Sequence, residues 1–505
     1  MKKQILIAAM ALTTLAACQS DVNPLLADWN TPYQTPPFNE IKVEHYAPAF
    51  DAAIAEARAE IDAIVADTAA PTFANTIEAL ERAGDKLTRI EYVFFNILEA
   101  DASDEMQQVS LEVQPKLTEY PNDVALNPEL FARVKAVYDQ RESLELSLEE
   151  AKLLEKTYKS FARSGAALDE EKKAVYREIS AELSQLTLQF GQNSLAANNA
   201  YSLNITSAKK VAELPDFVKE GMAMEAKARG QKGWTVTLKA PSYVPFMTYS
   251  SQRDIKEKLW RASNSRALGG EFDNSDNIRQ ITALRLKIAN LLGYECYADY
   301  VLDNRMAQTT ETVLSFLEEL RVATKEYAEA EVAEIEAYAH TIGFEGKLMP
   351  WDMSYYSEKY KNEKYAVNDE LVKPYLKLDN VIDAVFMLAN KLYGLEFKPA
   401  EGVATYHEDV TAYEVSESNG EHLAILYLDF FPRDSKRAGA WMTEFRGTSI
   451  IDGVETRPLV SLVMNFTKPT ETTPSLLTFD EFTTFLHEFG HALHCLFADV
   501  RYRGL

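Results

Sequence analysis

Thr478-Phe-Asp-Glu-Phe-Thr-Thr-Phe-Leu-His-Glu-Phe-Gly-His-Ala-Leu-His-Cys-Leu-Phe497 reads as one amphipathic helix that needs a core to lie against. Phe482, Phe485, Leu486, Phe489, Leu493 and Leu496 recur at three- and four-residue intervals and form its apolar stripe. Thr484, His487, Glu488, His491 and His494 fall on the other side and predict a polar face. Thr478 followed by Glu481 has the capping-box pattern, which fixes where the helix begins. At about 100° and 1.5 Å per residue, His487 and His491 stand roughly 40° apart in azimuth and one turn apart, so one ion can reach both. Neutral imidazoles in that arrangement suit Zn²⁺. Glu488, one residue along, flanks the ion instead of sharing its ridge, the position for a base that takes a proton from an activated water. His494 rises about 10 Å from His487 and reads as a cleft residue, not a ligand. Cys495 reads as a small buried thiol.

Working outward, Pro458-Leu-Val-Ser-Leu-Val-Met-Asn-Phe466 is a β-branched apolar run closed by Thr467-Lys-Pro469, a strand entering a loop. Such a strand either offers an exposed edge to an extended peptide or lies buried inside a sheet. Val410-Thr-Ala-Tyr-Glu-Val415 and Leu423-Ala-Ile-Leu-Tyr-Leu428 predict a hairpin beside it, so a small sheet precedes the histidine helix. Residues 48–230 read as successive helices, clearest over 52–64 and 172–198, with Asn127-Pro128 and Pro215-Asp216 as interruptions. Trp234-Thr-Val-Thr-Leu238 suits one short strand, and 276–292 with 311–342 make a second helical block whose acidic outer face is solvated. Tyr355, Tyr356, Tyr360 and Tyr365 either line a channel or pack as amphipathic aromatics.

The segment His487-Glu-Phe-Gly-His-Ala-Leu-His494 and the following Leu496-Phe-Ala-Asp-Val-Arg-Tyr502 closely resemble the thimet oligopeptidase family of zinc peptidases, and within it the bacterial dipeptidyl carboxypeptidase branch. Tyr427-Leu-Asp-Phe-Phe-Pro-Arg-Asp-Ser-Lys-Arg-Ala-Gly-Ala-Trp-Met442 and Asn465-Phe-Thr-Lys-Pro469 resemble that family's approach to its catalytic helix. Asn23-Pro-Leu-Leu26, Pro36-Pro-Phe38 and His45-Tyr-Ala-Pro-Ala-Phe50 resemble its amino-terminal entry. The resemblance implies a mainly α, two-lobed helical zinc peptidase with a small β-sheet next to the H-E-x-x-H helix. It implies one Zn²⁺ per chain on His487 and His491, with Glu488 as general base and a glutamate about twenty-five residues past His491 as third ligand. That position falls beyond Leu505, as do the family's later tyrosine and histidine groups, so part of the carboxy-terminal lobe is expected to be missing. The implied activity is hydrolysis of short extended peptides with release of carboxy-terminal dipeptides. An endo-acting oligopeptidase and a non-catalytic peptide-binding lipoprotein stand as alternatives, and the 505-residue chain itself is expected to be nearly inactive.

Met1-Lys-Lys3, the apolar stretch from Ile5 to Leu12 and Leu15-Ala-Ala-Cys18 form a short export signal ending in a lipobox. Cleavage before Cys18 and lipidation of that residue are expected, with anchoring in the bacterial envelope, at the outer membrane facing the periplasm. The expected division is a signal at 1–17, a lipidated tether at 18–40, a helical region at 41–240 and a catalytic region at 241–505. Cys296 and Cys495 alone remain after Cys18, so the fold relies on its core and not on a disulfide framework. A formal charge of −25 argues against a nucleic-acid partner. The sequence carries no sign of oligomeric state.

Overall fold

The hairpin expected from residues 410–428 forms the centre of the computed structural model, which describes residues 23–451 and 453–505. The signal and Cys18 lie outside the described residues. Helices of ten or more residues are α1 (Tyr46–Ala66), α2 (Asp85–Ala100), α3 (Asp104–Ala125), α4 (Pro128–Asp139), α5 (Leu148–Arg163), α6 (Glu170–Ala200) and α7 (Asp216–Ala228). They continue with α8 (Ala240–Tyr249), α9 (Arg253–Asn264), α10 (Ser275–Leu291), α11 (Thr310–Thr341), α12 (Pro350–Tyr365), α13 (Leu378–Tyr393) and α14 (Phe479–Leu496). β1 (Ser202–Ile205) pairs with β2 (Trp234–Thr237) as a separate antiparallel ribbon. The main sheet holds β3 (Glu396–Pro399), β4 (Val410–Ser416), β5 (His422–Asp429) and β6 (Trp441–Arg446). After a small hairpin of β7 (Ser449–Ile451) and β8 (Val454–Thr456) it is completed by β9 (Leu459–Val463).

Its order is β3-β4-β5-β9-β6, and β9 runs parallel to β5 but antiparallel to β6. β9 is therefore an interior strand, and all five of its residues are buried. The exposed-edge use of this strand is excluded, because its hydrogen bonds are taken on both sides; the edge on that side is β6. The chain is mainly α with one small mixed sheet beside the helix of the H-E-x-x-H motif, as the sequence implied.

Alternation along the strands divides the core into two layers. Ile425, Tyr427, Phe445 and Leu459 face Phe50, Ile54, Ile90 and Phe94 of α1 and α2. Ala424, Leu426, Leu428, Val460 and Leu462 face Val381 and Val385 of α13 and Phe485, Phe489 and Leu496 of α14. The sheet is thus covered on both faces, which explains why β5 and β9 read as nearly continuous apolar runs. Residues 23–40 do not form the loose tether expected of them. Leu25, Trp29 and Phe38 are buried in the first layer, and Phe38 packs edge-on against Tyr406, Tyr427 and Phe445. Burying each such side chain contributes about 1.5–3 kcal/mol toward holding the segment against the core.

The helix boundaries follow their local chemistry. Asn127 caps α4 by accepting from the backbone of Glu129 and Leu130, with Pro128 as first helical residue. α11 behaves differently from an ordinary amphipathic helix. Along its 32 residues only Ala339 is buried, while Leu314, Phe316, Leu317, Leu320 and Val322 stand exposed. Tyr355, Tyr356 and Tyr360 are partly buried, packing α12 onto α11 and its flank: Tyr356 against Phe344, Tyr360 against Tyr338, and Tyr355 under the Lys256 ammonium. They serve packing, while Tyr365 is exposed.

Candidate metal centre and active site

α14 begins where the capping box predicts. Thr478 Oγ1 accepts from the Glu481 amide at 3.1 Å, and Glu481 Oε2 accepts from the Thr478 amide at 2.9 Å. Phe485, Phe489, Ala492 and Leu496 are buried against the sheet and α13; Phe482, Leu486 and Leu493 flank them. Phe485 is fully enclosed and meets Phe430 edge-on at 5.1 Å. With the apolar stripe seated, His487 and His491 are turned outward, and both are exposed.

Their Nε2 atoms stand 3.2 Å apart, with ring planes at 79°. A tetrahedral Zn²⁺ about 2.0–2.1 Å from each nitrogen sets its two nitrogens about 3.3–3.4 Å apart, so the pair matches one edge of that tetrahedron. Among the described residues no cluster of three or more His, Cys, Asp or Glu stands ready for a metal ion, so these rings provide two donors and the described residues add no third. His494 is exposed one turn further on and takes no part in the ring pair. Gly490 sits on the outer side of the same turn, where an added Cβ would meet nothing within 4 Å.

Glu488 departs from the expected polar face. It is only 8% exposed, on the ridge that continues through buried Ala492 to Cys495. The reason is azimuthal: Glu488 stands about 100° from His487 and about 60° from His491, on the flank of the helix that also carries Cys495. On that flank Cys495 Sγ lies 3.9 Å from Met442 Sδ of β6. Burial pushes the Cys495 thiol up, with the Glu444 charge acting in the same direction, as befits a packing thiol and not a ligand.

A cavity of about 630 Å³ opens between α2 and β6 and reaches Cys495 on α14. Its walls include Glu91, Tyr92, Asn96, Met442 and Glu444. Asn96 bonds the sheet edge twice, donating to the Glu444 carbonyl at 2.7 Å and accepting from Thr443 Oγ1 at 2.6 Å. Burial pushes the Glu91 carboxyl up to about 7 and raises Glu444 too, while Arg503 pulls both the other way. Nothing in the sequence singles out these residues, because Asn96 and Thr443 meet only through the fold.

Residues 246–505 match the model of peptidase family M3. The chain is 37% identical over 490 residues to the dipeptidyl carboxypeptidase of Escherichia coli K12, covering 96% of this chain and 71% of that relative. The chain belongs to peptidase family M3. A second M3-like relative, oligopeptidase A of Salmonella typhimurium LT2, is 33% identical over 489 residues with the same coverage, 96% and 71%. Among solved structures, PZ peptidase A with inhibitor 2 aligns at 16% identity with a TM-score of 0.43, covering 90% of this chain and 64% of that one. Membership in M3 supports a metallopeptidase that acts on peptides.

Proposed function

We propose that the protein is a zinc-dependent peptidase that hydrolyses short, extended peptides, releasing dipeptides from free carboxyl termini. The observation that carries this reading is the 3.2 Å between the Nε2 atoms of His487 and His491, with the Glu488 carboxylate one residue along. Bound between these rings, one zinc ion supplies Lewis acidity toward water and the scissile carbonyl. Glu488 takes the proton from that water and passes it to the leaving amine. The carboxylate is nearly enclosed, and an extended peptide is proposed to lie along the neighbouring cavity between α2 and β6.

The dipeptide-releasing specificity is supported by the 37% identical dipeptidyl carboxypeptidase, and the endo-acting alternative by the 33% identical oligopeptidase A. The third donor is proposed to be a glutamate outside these 505 residues. With two ring donors and no third beside them among the described residues, this chain by itself is proposed to hold zinc weakly and to turn over slowly. The lipobox ending at Cys18 supports anchoring in the bacterial envelope, at the outer membrane facing the periplasm; fatty-acid labelling that survives Cys18→Ala would refute it.

The test of the chemistry is Glu488→Gln in the chain supplied with its third donor. Zinc content stays unchanged and hydrolysis of a free pentapeptide falls by about 10²–10⁴-fold. Undiminished turnover removes Glu488 as the base. In the same assay, cleavage that ignores amidation of the pentapeptide's carboxyl terminus selects the endo-acting alternative.

A further inference from the structure

Two histidines four apart on one helix owe their mutual spacing to the helix alone, but their position relative to the sheet must come from elsewhere. The link is the stretch from the end of β9 to α14, and residues 464–467 are each pinned. The Met464 amide donates to the Asp429 carbonyl at 2.7 Å, and the Met464 carbonyl accepts from Lys436 Nζ at 2.9 Å. Asn465 Nδ2 donates to the carbonyls of Arg437 and Gly439 at 3.0 and 2.7 Å. The Phe466 amide donates to the Phe430 carbonyl at 2.7 Å. Thr467 then donates twice to Glu481 Oε1, from its amide at 2.7 Å and its hydroxyl at 3.0 Å, while its carbonyl accepts from Ser475 Oγ at 2.7 Å.

Glu481 therefore does more than close a capping box. Oε2 caps α14 through the Thr478 amide, and Oε1 holds the exit of β9 through two donors of Thr467. A cap needs only the first of these. We propose that Glu481 is a positioning residue, which registers α14 against the interior strand β9 and so sets where His487, Glu488 and His491 stand relative to the sheet. The inference rests on the metallopeptidase reading for its purpose, but its geometry can be tested without turnover.

Cu²⁺ alone serves as the probe, since imidazole pairs take it readily. A nitroxide on Ser418→Cys, at the exposed turn between β4 and β5, gives the second spin, in the full chain with Cys18, Cys296 and Cys495 replaced by serine. Loss of Cu²⁺ in His487→Ala verifies that the pair holds the metal. Cu²⁺ retained there counts against the metal-centre reading and leaves the positioning claim to be read from backbone spin-label distances on α14. The Cu²⁺–nitroxide distance distribution is expected to be narrow in the parent and in Thr478→Ala, which breaks only the cap. It is expected to broaden or shift in Glu481→Ala, with Cu²⁺ affinity changed less than threefold. Thr467→Val, which removes only the hydroxyl arm, gives a smaller change in the same direction and serves if Glu481→Ala does not fold. Glu481→Gln, which keeps one acceptor oxygen, restores part of the narrow distribution. A Glu481→Ala distribution identical to the parent's, or Thr478→Ala broadened equally, reduces Glu481 to an ordinary cap.

Discussion

At the scale of single residues, the environment decides what each carboxylate can do. Glu91 and Glu444 share the cavity beside α14, and burial raises both, Glu91 to about 7 from 4.5. Between those values the folded protein holds a proton on Glu91 that the unfolded chain has released. The contribution to stability is therefore full below about 4.5 and is lost as the pH rises through about 7. Glu91→Gln, which never ionises, should be more stable than the parent at pH 8 by about 1–3 kcal/mol and equal to it near pH 4.5. Denaturant titrations at the two pH values check this; a constant difference between them would contradict it. The sequence offers Glu91 as one more charge on an amphipathic helix, since the partner that encloses it lies on a strand about 350 positions later.

At the scale of elements, the sheet is closed at one end by a buried ion cluster. Lys436 Nζ is fully enclosed and donates to Asp429 Oδ1 at 2.7 Å, to the Phe431 carbonyl at 2.6 Å and to the Met464 carbonyl at 2.9 Å. It thus ties the end of β5 to the end of β9, the two parallel strands under α14. Asp429 also accepts from Arg433 at 2.6 Å and from the Tyr406 hydroxyl at 2.8 Å. Lys436→Met strands two carbonyls and weakens the compensation of a buried carboxylate, and should cost about 3 kcal/mol by equilibrium denaturation. A loss under about 1 kcal/mol would mean that water or Arg433 replaces the ammonium. The stretch 427–442 was legible through its resemblance to the thimet oligopeptidase family's approach to its catalytic helix, but not as a tie between strands, because the strand order is not written in the alternation of either strand.

At the scale of the whole molecule, the two core layers on either side of the sheet contrast with α11, whose apolar residues meet no such layer. Leu314, Phe316, Leu317, Leu320 and Val322 are between 45% and 66% exposed, and Phe316, Leu317 and Leu320 fall within about 100° of one another on one face. Leu317→Glu with Leu320→Glu should leave stability within about 0.5 kcal/mol and reduce both binding of a hydrophobic dye and self-association in sedimentation. A loss above about 1 kcal/mol would show that these side chains support the fold. The acidic face of this helix was legible from the sequence, yet its bare apolar face was not, because periodicity states which residues want burial and not whether anything covers them. The same division runs through the protein. The sequence by itself determined the histidine helix, its Thr478 start, its Phe485–Phe489 stripe, the β4–β5 hairpin and the pairing of two imidazoles, since each depends on residues within a few turns of one another. Tertiary structure alone decided that β9 is interior, that residues 23–40 are packed, that Glu488 is enclosed and that Glu481 grips Thr467. Those outcomes arise from contacts between segments far apart in the chain, where packing and hydrogen-bond satisfaction choose among arrangements that local pattern leaves equal.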